Sequence, residues 1–279
     1  MDAAGGIQMK RFWYSLAALA LGVGAFISAA NAADLREQSQ NPIANLISVP
    51  FQNNTNFGVG HLNNTQNVHN IQPVIPIGLN ENWNLITRTI IPVTYQPAMF
   101  RGDSTDFGLG DVVPQMFFSP KRPTPIKGGE FVWGLGPNLL LPTATDPRLG
   151  TGKWGAGPSF VALAIVKSFV VGALVVNQWS FGGDSDREDV NFLTVQPFLN
   201  YNLPEGWFLT SSPVITANWE ADSDERWTVP VGGGIGRVFN IGSQSFNGQV
   251  QAFSNVITPD NGGANWQLRA QLNLLFPTK

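Results

Sequence analysis

The stretch WNLITRTIIPVTY, Trp83 to Tyr95, alternates so strictly that it reads as a strand with two unlike faces. One parity runs Trp83, Leu85, Thr87, Thr89, Ile91, Val93, Tyr95, apolar with an aromatic at each end. The other runs Asn84, Ile86, Arg88, Ile90, Pro92 and holds a full charge. The design recurs, because Gln72 to Tyr95 aligns without a gap on Gln196 to Trp219, whose corresponding face is Trp207, Leu209, Ser211, Pro213, Ile215, Ala217, Trp219. In both copies the end aromatics lie twelve residues apart. At roughly 3.3 Å per residue and a tilt near 45° that interval spans about 28 Å, close to the apolar band of roughly 25 Å on a transmembrane barrel. An arginine facing lipid at mid-membrane costs about 2–4 kcal/mol, so Arg88 must face the interior. The final strand follows the same rule: Trp266, Leu268, Ala270, Leu272, Leu274 and Phe276 face out, and Gln267, Arg269, Gln271 and Asn273 face in.

Segmenting the rest by alternation predicts twelve strands, at 46–57, 67–79, 83–96, 109–119, 131–142, 154–166, 169–181, 190–202, 206–219, 226–239, 245–257 and 265–276. An even number suits a closed antiparallel barrel with both termini on one side. The connections support that reading independently. Those after even-numbered strands are short turns or, after the fourth, the basic KRPTPIKGG; those after odd-numbered strands include RGDSTDFG, TATDPRLGTGK, GGDSDRED, EADSDER and TPDNGGA. Short periplasmic turns and longer outer loops are the expected asymmetry. The aromatics then sort into an outer belt (Tyr95, Trp154, Trp179, Trp219, Trp227, Trp266) and a periplasmic belt (Trp83, Trp133, Phe169, Trp207, Phe246, Phe276). The expected class is therefore all-β, an antiparallel transmembrane barrel of about 12 strands with periplasmic termini. A soluble β-sandwich is the rival.

The amino terminus fits this class. Lys10 and Arg11 precede the apolar run FWYSLAALALGVGAFISAA, which ends at Ala30-Asn31-Ala32, the layout of a secretory signal peptide cut after Ala32. Met9 is an alternative start. The expected organisation is a signal peptide at 1–32, an N-terminal periplasmic segment at 33–45 and the barrel at 46–279. Charged residues make up only 13% of the chain and the net charge is -3, so no basic face exists to bind nucleic acid.

With these strands on the page, the chain resembles a known group. NPIANLISVPFQNN, QNVHNIQPVIPI, NWNLITRTIIPV, GKWGAGPS, LPEGWFLTSSPVITANWEA and RWTVPVGGGIG are similar to bacterial outer-membrane proteins often labelled neuromedin U, a group related to transporters assigned to the meta-pathway of phenol degradation. The resemblance covers nearly all of the chain after the signal. It implies an outer-membrane barrel with a transport role, and it supplies no catalytic residues.

The candidate pathway residues are those on the inward parity: Arg88, Arg269, Gln72, Gln196, Gln249, Gln251, Gln267 and Gln271, with Gly232, Gly234 and Gly236 as a smooth stretch. A polar lining can wet a channel and its arginines attract anions, or the same groups can bond one another and plug a narrow barrel. Ile86, Ile90, Val74, Leu163, Leu174, Val176 and Phe253 share the interior, which suits an apolar or aromatic solute as well as it suits simple packing. The loop carboxylates Asp184, Asp186, Glu188 and Asp189 are candidate ligands for a divalent cation, against a solvated loop. No other cofactor is expected. The partners expected are outer-membrane lipid and lipopolysaccharide, a small-molecule solute, and the barrel-assembly machinery.

The leading function is a channel or transporter for small solutes. One alternative is a lipid hydrolase at the barrel rim, for which the histidines available are His61 and His69. No G-x-S-x-G occurs and no serine partner is identifiable, so an enzyme is not expected. The other is a structural or adhesive barrel acting through its acidic loops. Finally, Pro73 and Pro197 each remove a ladder donor, and a local kink is expected at both.

Overall fold

A computed structural model describes residues 29–277, so most of the expected signal peptide lies outside the described residues. Helix α1 (Ala29–Gln40) leads into a chain that is otherwise strand. The strands are β1 (Leu46–Val59), β2 (Asn64–Ile71), β3 (Val74–Gly78), β4 (Trp83–Gln96), β5 (Asp106–Leu109), β6 (Val113–Pro120), β7 (Thr124–Ile126), β8 (Gly129–Leu140), β9 (Lys153–Val166), β10 (Phe169–Gly183), β11 (Asn191–Asn202), β12 (Trp207–Ser211), β13 (Ile215–Asn218), β14 (Trp227–Ile241), β15 (Gln244–Ile257) and β16 (Trp266–Pro277). Pairs β2/β3, β5/β6 and β12/β13 are each one interrupted span, and β7 only extends the hairpin to β8. The wall therefore has twelve spans, as alternation predicted. The largest offset from an expected boundary is three residues, for example at the start of β2, expected at 67 and found at Asn64.

Every ladder is antiparallel, and β1 pairs with β16 from Leu46↔Pro277 to Phe57↔Trp266, which closes the sheet on itself. Closure removes the sheet edges, the one way a sheet can sit in lipid without unpaired backbone groups. Both termini of the barrel thus lie at one end, together with the tight turns. One of these is Pro204–Gly206, where Gly206 has φ +80 and a Cβ would meet Val238 O at 2.4 Å.

The faces divide as expected. In β4 the even residues Asn84 and Ile86 are buried, while Trp83 and Tyr95 are exposed. Exposed Leu135, Phe160, Val171, Leu199, Ile235 and Val250 form an apolar exterior that water would not tolerate on this scale. Aromatic pairs mark its rims: Phe57 stacks on Trp266 (4.0 Å) and Trp219 meets Trp227 edge-on (5.5 Å) at the outer rim, and Trp83 meets Trp133 (5.9 Å) at the other.

The expected proline kinks divide differently. The span is interrupted at Gln72–Pro73 as expected, but β11 runs unbroken through Pro197, which pairs with Ala173. The interruption falls instead on the next span, at residues 212–214 between β12 and β13. Register is kept across it, since Leu199↔Ser211 and Val195↔Ile215 belong to one frame that sets Pro197 opposite Pro213. Two facing prolines leave no N–H to bridge that rung, so the ladder opens on the strand whose neighbours offer other partners.

Inside, one side of the barrel is filled by an apolar cluster of Ile86, Phe117, Val161, Leu163, Val170 and Leu174 with their neighbours. The wall from β12 through β16 to β1 holds the buried polar groups Asn54, Thr210, Asn247, Gln251, Arg269 and Asn273, interspersed with Phe208, Val238 and Phe253. The interior is therefore mixed, as expected.

Candidate functional site

Polar groups of the wall build a septum at mid-barrel. Gln251, Arg269 and Asn54 are Cα partners across β15, β16 and β1, so their side chains share one level. Arg269, only 3% exposed, donates from Nε to Asn54 Oδ1 (2.9 Å), from Nη1 to Ser212 O (2.7 Å) and from Nη2 to Gln267 Oε1 (3.1 Å). Its guanidinium lies 5.0 Å from the centre of the Phe253 ring. Ser212 stands in the proline-made break of the ladder. Its freed N–H donates to Gln251 Oε1 (3.0 Å), and Gln251 Nε2 donates back to Ser212 Oγ (3.0 Å). The backbone groups released by Pro197 and Pro213 are thus re-used to hold Arg269 and Gln251 across the lumen.

Below the septum lies a cavity of about 140 Å³, lined among others by Gln72, Arg88, Gln196, Gln249 and Gln271. Five of the eight expected pathway residues converge there. Arg88 donates to Gln72 Oε1, a short contact between the residue before Pro73 and its neighbour strand. Gln251, Arg269 and Gln267 belong to the septum and its upper edge, where Gln267 also donates to Asn56 Oδ1 (2.7 Å).

The floor of the cavity is the segment before β1, which sequence reasoning left outside the barrel. Residues 35–45 cross the periplasmic mouth from one wall to the other. Leu35 and Ala44 pack with Phe208, Val238 and Leu275, and Ile43, 4% exposed, inserts into the apolar cluster beside Phe117 and Val132. Polar bonds fix the crossing: Gln40 Nε2 donates to Asn202 Oδ1 (2.9 Å), Asn247 Nδ2 donates to Ser39 Oγ (2.9 Å), and Arg36 donates to Leu203 O in the tight turn. The available signal was two isolated apolar residues, Leu35 and Ile43, in an otherwise polar stretch.

Above the septum the lumen widens into two outer chambers. One, about 580 Å³, is lined by Asn56, Gln66, Thr216, Glu225, Asn255 and Gln267 among others. The second, about 600 Å³, lies beneath the loop at 184–190 and is lined by Gln178, Asp186, Arg187, Glu188, Asp189 and Phe192 with their neighbours. Three of the four expected cation ligands therefore face the mouth. They do not gather: Asp189 is 3.1 Å from Lys153 Nζ, and Asp184 Oδ1 accepts from the N–H of Asp186 (2.9 Å). The Lys153 and Ser180 bonds hold the Asp189 carboxyl below its usual range. The carboxylates that do converge, among the described residues, are Asp224, Glu225 and Asp260, all on outer loops.

The outer loops are tied to one another. Arg148 sits 2.8 Å from Asp106 and 3.6 Å from Asp103, and Arg187 Nε donates to Thr151 O (3.2 Å). His61 Nε2 lies 3.2 Å from Asn261 Oδ1, and His69, paired with the outward-facing Asn53, has its ring 6.3 Å from Phe51. Among the described residues neither histidine bonds a serine.

Closed antiparallel strands, an apolar exterior with aromatic rims and a polar lumen define an integral β-barrel of a bacterial outer membrane. No family model matches the chain, and no curated protein does. Among solved structures it is similar to an outer membrane channel from Pseudomonas putida F1 (15% identity over 83% of this chain and 94% of that one, TM-score 0.63). It also aligns with outer membrane phospholipase A of Escherichia coli (13%, 90% and 99%, TM-score 0.46) and with a FadL homologue of Pseudomonas aeruginosa (9%, 83% and 89%, TM-score 0.33). Of these three scores the first is that of a shared fold, and the other two fall below it.

Proposed function

We propose that the protein is a channel or transporter for small solutes, moving them through outer chambers, past the Arg269 septum and into the Arg88 cavity. One observation carries this reading: chambers of about 580 Å³ and 140 Å³ stand on either side of a single layer of side chains inside one barrel wall. A barrel serving only as a surface anchor has no use for stacked polar chambers. The resemblance to transporters of the phenol-degradation meta-pathway, and the shared fold with a protein described as an outer membrane channel, support the same reading; the resemblance alone favours apolar or aromatic cargo. Val74, Leu174 and Phe198, the members of the apolar cluster that line the inner cavity, suit such cargo. The reading assigns no catalysis to His61 or His69. It leaves the acidic outer loops to lipopolysaccharide, bridged by divalent cations, and the closing strand with Phe276 to the assembly machinery.

The test is planar-bilayer conductance together with uptake into liposomes containing the refolded protein. Discrete openings, or faster uptake of at least one small solute than in empty liposomes, are expected. A sealed barrel that does neither, with residues 35–45 present or removed, defeats the transport reading.

A further inference from the structure

The inner cavity has an unbalanced charge. Among the described residues lining it, Arg88 alone is ionic; the remainder are amides, hydroxyls and apolar groups such as Val74, Leu174 and Phe198. None of the ion pairs among the described residues involves Arg88 or Arg269. The two arginines differ in what they still lack. Arg269 has each of its three nitrogens on a neutral acceptor, whereas among the described residues the side chain of Arg88 bonds Gln72 through one nitrogen and lines the cavity. A guanidinium offers five donors in a planar fork, matched to the two oxygens of a carboxylate. Held away from bulk water with one neutral partner, such a cation gains most from an anion of that shape.

We infer that the cavity at Arg88 is a binding site for the carboxylate of a small organic acid, whose hydrocarbon body lies against Val74, Leu174 and Phe198. The inference rests on the lumen being a solute route and names the class of solute that pauses in it. A monovalent carboxylate fits better than phosphate, because one guanidinium with neutral amides around it does not balance a dianion. Gln72 fixes the fork from one side, and Gln196 supplies amide donors from the facing wall. The carboxylates of the outer chambers act on the rate of entry through a potential that salt screens, whereas affinity is set at Arg88.

The experiment is calorimetric titration of the refolded, full-length protein in detergent with benzoate, with its neutral match benzamide, and with inorganic phosphate. Benzoate is expected to bind at least tenfold more tightly than either. Arg88→Gln should abolish that preference, and Arg88→Lys should retain part of it. Equal binding of benzoate and benzamide by the unmodified protein, tighter binding of phosphate, or no binding of benzoate overturns the inference without reference to any variant. Because the titration needs no passage, the two readings fail separately. A barrel that binds benzoate but neither conducts nor transports refutes the route, and one that conducts while ignoring the carboxylate refutes the site.

Discussion

Ile43→Ala tests whether residues 35–45 close the barrel. The side chain is 4% exposed and lies among Phe117, Val132 and their neighbours, so truncation removes buried contacts and leaves a cavity. Buried Ile→Ala changes cost about 2–5 kcal/mol. The bonds of Gln40 to Asn202 and Ser39 to Asn247 contribute roughly 0.5–1.5 kcal/mol each, so Ile43 outweighs either of them as an anchor of the segment. Because the segment contributes no strand to the closed wall, that cost falls on docking and not on the barrel. At a factor of ten per 1.4 kcal/mol, the undocked population rises between about 30-fold and several thousand-fold. The chain has no cysteine, so Ser39→Cys provides a unique thiol whose maleimide labelling reports undocking. In the Ile43→Ala background labelling should accelerate at least about tenfold and bilayer openings should lengthen or multiply, with the urea midpoint of the barrel little changed. Unchanged labelling together with unchanged conductance would refute the closure argument; a fall in the barrel midpoint would show that the segment is part of the fold and not a closure on it.

Other predictions follow from the septum, the wall and the loops. Arg269→Ala should join the inner cavity to the outer chamber and raise single-channel conductance, and an unaltered conductance would place the constriction elsewhere. Gly236→Ala sets a Cβ 2.2 Å from the ring of Phe208, which is fully buried and cannot swing away. It should cost about 1–3 kcal/mol in urea unfolding and be relieved by Phe208→Leu. The Asp103 carboxyl is held below its ordinary value by the backbone N–H groups of Phe100 and Met99 and then by Arg148. Its folded value being the lower one, its contribution is present above about 3.9, the unfolded value, and is lost as pH falls through the folded value. Amide protection at Met99 and Phe100 should therefore drop at acid pH, and Asp103→Asn should show the same low protection at neutral pH.

The twelve spans, their facing and both aromatic belts were legible in the sequence, because a lipid-bounded wall forces every residue to declare a side. The same parity argument put Arg88, Arg269 and the glutamines inside. Period-two alternation says nothing, however, about depth or azimuth, so it could not separate Arg269, satisfied in the septum, from Arg88, which faces a cavity. Nor could it say that Pro197 would keep its own strand intact and open the neighbour at 212–214. That outcome depends on register across the ladder, which set Pro197 opposite Pro213.

Residues 35–45 show the limit most plainly. Their polarity reads as a solvated tail, and only closure of the barrel creates the mouth in which Leu35 and Ile43 find apolar partners and Arg36, Ser39 and Gln40 find bonding ones. The sequence by itself determined that this chain is a membrane barrel and which side chains line it, since both follow from local alternation against a fixed membrane thickness. The septum, the lone charge of the inner cavity and the closed periplasmic end were decided by tertiary structure, because each is a meeting of residues far apart in the chain that exists only once the first strand has paired with the last.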